Sequence, residues 1–194
     1  MARAEVDENF DRSFGIYDLN QFLSAYNLFE SDQIELELRE DDCVMSSGKS
    51  SMIYRYWNQA WDLSARPPKN ITLPSRDFKM TLDTNLLGRI KKVGSTLKDC
   101  SILSIISEKN SDDVKISIHD PSNSSSNKFE VALENYKKDN KNASFEFQFL
   151  IENLKVLRGD YEISISSMNI SEWKDINNNL TYWIALEKDS SYSL

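Results

Sequence analysis

Hydrophobic and polar positions alternate strictly along several short runs of the chain. Phe145-Glu146-Phe147-Gln148-Phe149 and Tyr161-Glu162-Ile163-Ser164-Ile165-Ser166 are two of them. Ile34-Glu35-Leu36-Glu37-Leu38 and Val114-Lys115-Ile116-Ser117-Ile118 are two more. A period of two gives each strand one buried and one wet face, the mark of antiparallel sheet. Phe129 to Leu133 and Thr181 to Leu186 read as further strands. Three segments follow helical spacing instead. Leu19, Phe22, Leu23, Tyr26 and Phe29 recur every three or four positions after Asp18, with Gln21 placed to complete a cap box. Leu86, Ile90, Val93 and Leu97 form a second stripe after Asp83, predicting a helix over Thr84 to Leu97. Leu150, Leu154 and Leu157 predict a third over Ile151 to Arg158, ended by Gly159. Strands interrupted by helices in this order make an α+β protein with helices gathered on sheet faces.

Punctuation is sparse and uneven. Pro67, Pro68 and Pro74 cluster in the middle of the chain, and Ser64 to Asn70 reads as an extended connector. A boundary near Arg76 divides the sequence into lobes at 1–76 and 77–194. The 194 residues are 40% hydrophobic and 28% charged, a globular composition. The net charge of -8 rules out a uniformly basic nucleic-acid binder but not a basic surface on an acidic body. No apolar run reaches the length of a membrane span, and Met1 to Glu5 has no apolar signal region. Cys43 and Cys100 lie far apart and read as two buried thiols, the usual fate of free cysteine. His119 is the only histidine, so a zinc site would have to be built mainly from carboxylates, which is unusual, and no nucleophile stands as an evident partner for it.

Local charge breaks the overall balance at one place. Gly88 to Lys98 contains Arg89, Lys91, Lys92 and Lys98 and no acidic residue. At 3.6 residues per turn the apolar stripe takes one side of this helix and leaves a basic, low-relief face outward. Lys155 and Arg158 give the third predicted helix a smaller basic bias, whereas Asp18 to Phe29 holds no Lys or Arg. Other motifs fail on inspection. Ser47-Gly48-Lys49-Ser50 ends like a phosphate-binding loop, but Cys43 stands where that loop needs glycine. Asp41-Asp42 and Asp112-Asp113 lack a third carboxylate at a liganding interval and read as turns. Triplets of glycosylation type begin at Asn70, Asn123, Asn142, Asn169 and Asn179, as an Asn/Ser-rich composition produces by chance.

Five segments in order resemble the DNA polymerase sliding clamp of large contractile-tailed bacteriophages, in a cyanophage-like form. They are Ile16-Tyr17-Asp18-Leu19-Asn20-Gln21-Phe22-Leu23, Phe145-Glu146-Phe147, Ile151-Glu152-Asn153-Leu154-Lys155, Gly159-Asp160-Tyr161-Glu162 and Tyr182-Trp183-Ile184-Ala185-Leu186-Glu187-Lys188-Asp189-Ser190. The resemblance implies a two-lobed clamp fold with antiparallel sheets outside and helices on the inner face. It implies a homotrimeric ring around double-stranded DNA in the cytoplasm of the infected host, with DNA polymerase and clamp loader as partners. No cofactor, metal, membrane or catalytic residue is implied. By match to the family's inner helices, Arg89, Lys91, Lys92, Lys98, Lys155 and Arg158 are assigned to the duplex. Polymerase and loader tails are expected near Leu63, Ile71, Leu73 and the last strand. The alternative from another class is a β-rich extracellular binding or adhesion module, which the glycosylation triplets would favour; an enzyme comes third.

The lobes are unequal under this division. The second carries two predicted helices and the first only one, so the first lobe is expected to lack its opening strand, helix and strand. That loss is expected to weaken the trimer.

Overall fold

The computed structural model describes residues 1–16, 18–29, 33–57, 71–123, 125–137 and 140–194. They fall into two compact units. The larger comprises Met1–Val6 and Lys69–Leu194, and the smaller comprises Asp7–Pro68.

The larger unit contains strands β1 (Ala2–Ala4) and β5 (Phe78–Leu82), helix α2 (Thr84–Thr96), and strands β6 (Ile102–Ser107), β7 (Asp113–His119), β8 (Phe129–Lys137) and β9 (Ser144–Leu150). A 3-10 turn (Ile151–Asn153) follows, then β10 (Tyr161–Ser166), β11 (Ile170–Asp175), β12 (Leu180–Ala185) and β13 (Ser191–Ser193). Two five-stranded antiparallel sheets result, ordered β1-β12-β11-β10-β5 and β13-β9-β6-β7-β8. Their facing side chains make one core with the buried edge of α2. Phe78, Met80 and Leu82 meet Phe145, Phe147, Phe149, Ile163, Ile165 and Trp173, with Leu87 and Ile90 entering from the helix. The expected alternation holds on β9 and β10, where the phenylalanines and isoleucines are buried. β6 was not evident in the pattern because Ile102, Leu103, Ser104 and Ile105 are all buried, which abolishes the period of two. The buried Ser104 hydroxyl donates to Glu146 Oε1 at 2.9 Å, so the outer face of β9 is a hydrogen-bonded surface rather than a free one.

The smaller unit contains α1 (Leu19–Tyr26) and the meander β2 (Glu35–Leu38), β3 (Asp42–Ser47) and β4 (Ser50–Arg55). Asp18 caps α1 by accepting the Gln21 N–H at 3.0 Å, as the cap-box spacing predicts. Phe22 and Ala25 pack over Cys43, Met45 and Tyr54. Ser47-Gly48-Lys49-Ser50 is the two-residue hairpin between β3 and β4, and Gly48 supplies its positive φ of 59°. Cys43 and Cys100 are both free and buried, as read from the sequence.

The third predicted helix is corrected. Ile151 to Arg158 forms only the 3-10 turn Ile151–Asn153 and then continues without regular secondary structure, bending at 158–159, to β10. Burial explains the failure: Leu154 and Val156 are inside while Leu157 is 64% exposed, a period of two rather than a helical stripe. Side chains also bind backbone groups along the segment, among them the Leu157 N–H, which a helix over 151–158 would bond internally. Lys91 Nζ donates to Val156 O, the Leu157 N–H donates to Tyr182 Oη at 3.1 Å, and Tyr161 Oη donates to Leu157 O at 2.9 Å. Gly159 is not a helix stop. A Cβ there would lie 2.6 Å from Asp175 Oδ2, so any larger residue would require the Asp175 carboxylate to move.

Candidate nucleic-acid interface

The N-terminus of α2 is fixed by two carboxylates. Asp83 Oδ1 accepts the Leu86 N–H at 2.7 Å, and Asp160 Oδ1 accepts the Thr84 N–H at 2.7 Å. Each satisfies one of the donors that a helix start leaves open, and each sits at the positive end of the helix dipole. The backbone hydrogen bond from Thr84, followed by the Thr84 side chain, holds the Asp160 carboxyl below its ordinary value. Asp160 also ties α2 to the strand that follows the basic 155–158 segment.

Farther along the helix, α2 lies against the 3-10 turn. A Cβ on Gly94 would meet Ile151 Cγ2 at 2.8 Å, so the Ile151 side chain packs directly on the helix backbone at Gly94. Lys91 reaches across the same seam to the Val156 carbonyl. This packing brings the two basic stretches side by side on one surface. A shallow groove of about 310 Å³ between them is lined by Thr84, Asn85, Leu87, Gly88, Lys91 and Arg158.

The six cations predicted to contact the duplex all lie on exposed residues. Arg89 stands over the Phe129 ring, its Cζ 5.8 Å from the centroid, which keeps the guanidinium flat and partly held. Lys91 differs from the rest. One of its three ammonium donors goes to the Val156 carbonyl, and desolvation pulls its pKa below the usual lysine value. Lys92, Lys98, Lys155 and Arg158 project without an ion-pair partner among the described residues, as do Arg3, Lys49, Arg55, Lys79, Lys109 and Lys188 elsewhere, whereas Arg39, Arg76, Lys115, Lys128, Lys141 and Lys174 are paired. The apolar stripe of α2 is centred on Leu87 and Ile90; Leu86, Val93 and Leu97 flank it half-buried. Leu87 and Gly94 have no place in the sequence pattern, and Phe129 has one only as the start of a strand. Leu87, one residue past Leu86 and three before Ile90, was the one that spacing could have found.

Leu63 lies outside the described residues. Ile71 is half-buried, and Leu73 is buried at 9% exposure. Among the described residues no cluster of three or more His, Cys, Asp or Glu side chains could hold a metal ion, and no helix is long and apolar enough to cross a membrane.

Comparison with known proteins gives this geometry its family. No family model matches the chain. The sliding clamp of Vibrio phage KVP40 is 30% identical over 191 residues, covering 96% of this chain and 82% of the relative. The sliding clamp of Escherichia phage RB69 is 27% identical over 199 residues, covering 98% and 82%. Among solved structures, the Caulobacter crescentus DNA polymerase III beta protein superposes with a TM-score of 0.59 at 12% identity over 87% of this chain. The DNA polymerase III beta subunit of Thermotoga maritima gives 0.55 at 13% identity over 85%. The chain spans 45% and 44% of the length of these two bacterial proteins, and at such identities the likeness concerns fold alone. The antiparallel sheets backed by a capped helix, together with a relative matched along nearly the whole sequence, place this chain in the sliding clamp family.

Proposed function

We propose that this chain works as a phage processivity clamp: copies assemble head to tail into a homotrimeric ring that encircles duplex DNA and tethers the polymerase to its template. The observation that carries the reading is the packing of α2 against the 151–158 segment, which gathers cations without carboxylate partners on one surface of a protein with net charge -8. A sliding ring needs phosphate attraction that is weak and blind to sequence, because base-edge contacts would pin it. Exposed lysines supply that attraction, and the acidic remainder discourages DNA from binding elsewhere. Topology then does the holding, and no catalytic group is required. In this reading the lobes at 1–76 and 77–194 repeat one architecture. Arg89, Lys91, Lys92, Lys98, Lys155 and Arg158 face the duplex, and Lys91 also braces the surface through the Val156 carbonyl. Polymerase and clamp loader dock near Ile71 and the last strand, and the site of action is the cytoplasm of the infected host. The reading displaces the extracellular adhesion module, because the phage relatives carry the same chain order along almost the full length.

The test is processive synthesis on a primed circular template with cognate polymerase and clamp loader. Lys92→Glu combined with Lys155→Glu should reduce product length at low salt with melting unchanged. The difference should shrink as salt rises, since screening weakens the attraction for the parent too. Equal product length for parent and variant at low salt would remove this surface from the DNA path.

A further inference from the structure

Helix α2 contains a residue that the fold does not account for. Four of the chain's five glycines have a reason in the structure: Gly48 takes a positive φ, and a Cβ on Gly15, Gly94 or Gly159 would crowd Trp57, Ile151 or Asp175. Gly88 has no such reason. It lies just past the first turn of α2, and a Cβ there would meet nothing within 4 Å. Glycine at an interior helix position weakens the helix, because the backbone loses more freedom on folding and no side chain packs in return.

The surroundings of Gly88 are chemically specific. It lines the groove of about 310 Å³ with Thr84, Asn85, Leu87, Lys91 and Arg158. Among the described residues that lining holds two cations and no carboxylate. Lys91 is fixed by its bond to the Val156 carbonyl and keeps two further ammonium donors. Arg158 is exposed, has no ion-pair partner among the described residues, and offers a fork of donors that suits a phosphate. The helix start is not the source of attraction, because Asp83 and Asp160 already occupy the Leu86 and Thr84 N–H groups and bring negative charge there. The pull on an anion therefore comes from the two side chains, and Gly88 is the place where the helix backbone beside them is bare.

We propose that Gly88 is a clearance position: it lets one phosphate of the DNA backbone settle into this groove and reach Lys91 and Arg158 directly. The inference rests on the DNA reading above and adds to it the residue that sets how closely the backbone approaches. A side chain at position 88 would stand on the groove wall and hold the phosphate away from both cations. Coulomb attraction falls with separation, and exposed charges are screened, so a displaced phosphate is no longer neutralised. The helix gives up stability at Gly88 in return for that contact. A phosphate carries no sequence information, so a seat of this kind positions the duplex without reading it.

Binding of a short labelled duplex of mixed sequence, followed by fluorescence anisotropy over a salt series, tests the groove. Each neutralised phosphate contributes about 0.9 to the slope of log affinity against log salt. Gly88→Met adds no charge and no donor, yet should lower the slope by about that amount. Referred to 1 M salt, the loss of affinity is about fifteenfold at 50 mM and about fourfold at 200 mM. Melting of the same variant should rise, since methionine is the better helix former. A purely structural role for Gly88 would leave the salt slope unmoved. Arg158→Met should lower the slope equally, and the Gly88→Met/Arg158→Met pair should lower it no further, because both act on one phosphate. Ser95→Met, seven residues along the same side of the helix and outside the groove, should keep the parental slope. The groove alone is overturned if Lys92→Glu with Lys155→Glu weakens binding while Gly88→Met keeps the parental slope. It is also overturned if Ser95→Met matches Gly88→Met, if the paired losses add, or if Gly88→Met melts below the parent. A parent whose binding does not respond to salt, or that does not bind the duplex, removes the DNA reading itself and the groove with it.

Discussion

Two glycines in one helix should respond to the same substitution with opposite signs. Gly88 and Gly94 both lie within α2. A Cβ at Gly88 meets nothing within 4 Å, so Gly88→Ala should stabilise the protein by about 0.5–1 kcal/mol, the ordinary gain of alanine over glycine in a helix. At Gly94 the same gain is opposed by the contact of 2.8 Å with Ile151 Cγ2. That methyl is attached directly to a branched Cβ whose rotamer is stiff, so relief requires moving the turn or the helix. Overpacking of this kind costs about 1–3 kcal/mol, which leaves Gly94→Ala destabilising by roughly 0.5–2 kcal/mol once the helical gain is subtracted. Chemical denaturation of the parent, both single variants, Ile151→Ala and the Gly94→Ala/Ile151→Ala pair would separate the terms. Removing Cγ2 should return the Gly94 substitution to the Gly88 value, giving a coupling of the size that contacting residues show. Equal stabilisation by Gly88→Ala and Gly94→Ala would refute the close approach, and with it the packing that sets Lys155 and Arg158 beside the helix.

Phe147→Ala should cost about 3–5 kcal/mol in the same assay, since the ring is 1% exposed and stacks on Phe145 at 4.9 Å. Glu146→Ala should cost about 1–3 kcal/mol rather than a negligible amount, because it strands the buried Ser104 hydroxyl; a neutral result would mean that the hydroxyl finds another acceptor. The Asp160 carboxyl is held low in the folded state, so its contribution is complete above the unfolded value and is lost as pH falls through the folded one. Thermal melts should therefore fall off below about pH 4, with a shallower acid limb in Asp160→Ala. Tyr161 is pushed up to about 12, chiefly by burial. In ultraviolet titration it should ionise last of the tyrosines or only on unfolding, with stability declining above about pH 10, where an unfolded tyrosine titrates.

The sequence determined the elements whose local signals agree with their environment. β9 and β10 each bury one face, so their alternation is visible in the residues themselves. α1 and α2 each begin at an aspartate whose side chain reaches the third residue on, a device that needs no tertiary partner. The concentration of basic charge on α2 was also legible, because charge is additive along a chain. Tertiary structure decided the rest. Leu150, Leu154 and Leu157 have helical spacing, yet tertiary packing buries Leu154 and Val156 and leaves Leu157 exposed, and Tyr182 takes the Leu157 N–H that a helix would bond internally. Lys91 reads in sequence like its neighbour Lys92, and only the nearness of the Val156 carbonyl makes one a brace and the other a free cation. Gly94 and Gly159 carry no sequence mark of their roles, since a close approach is defined by the atom on the other side.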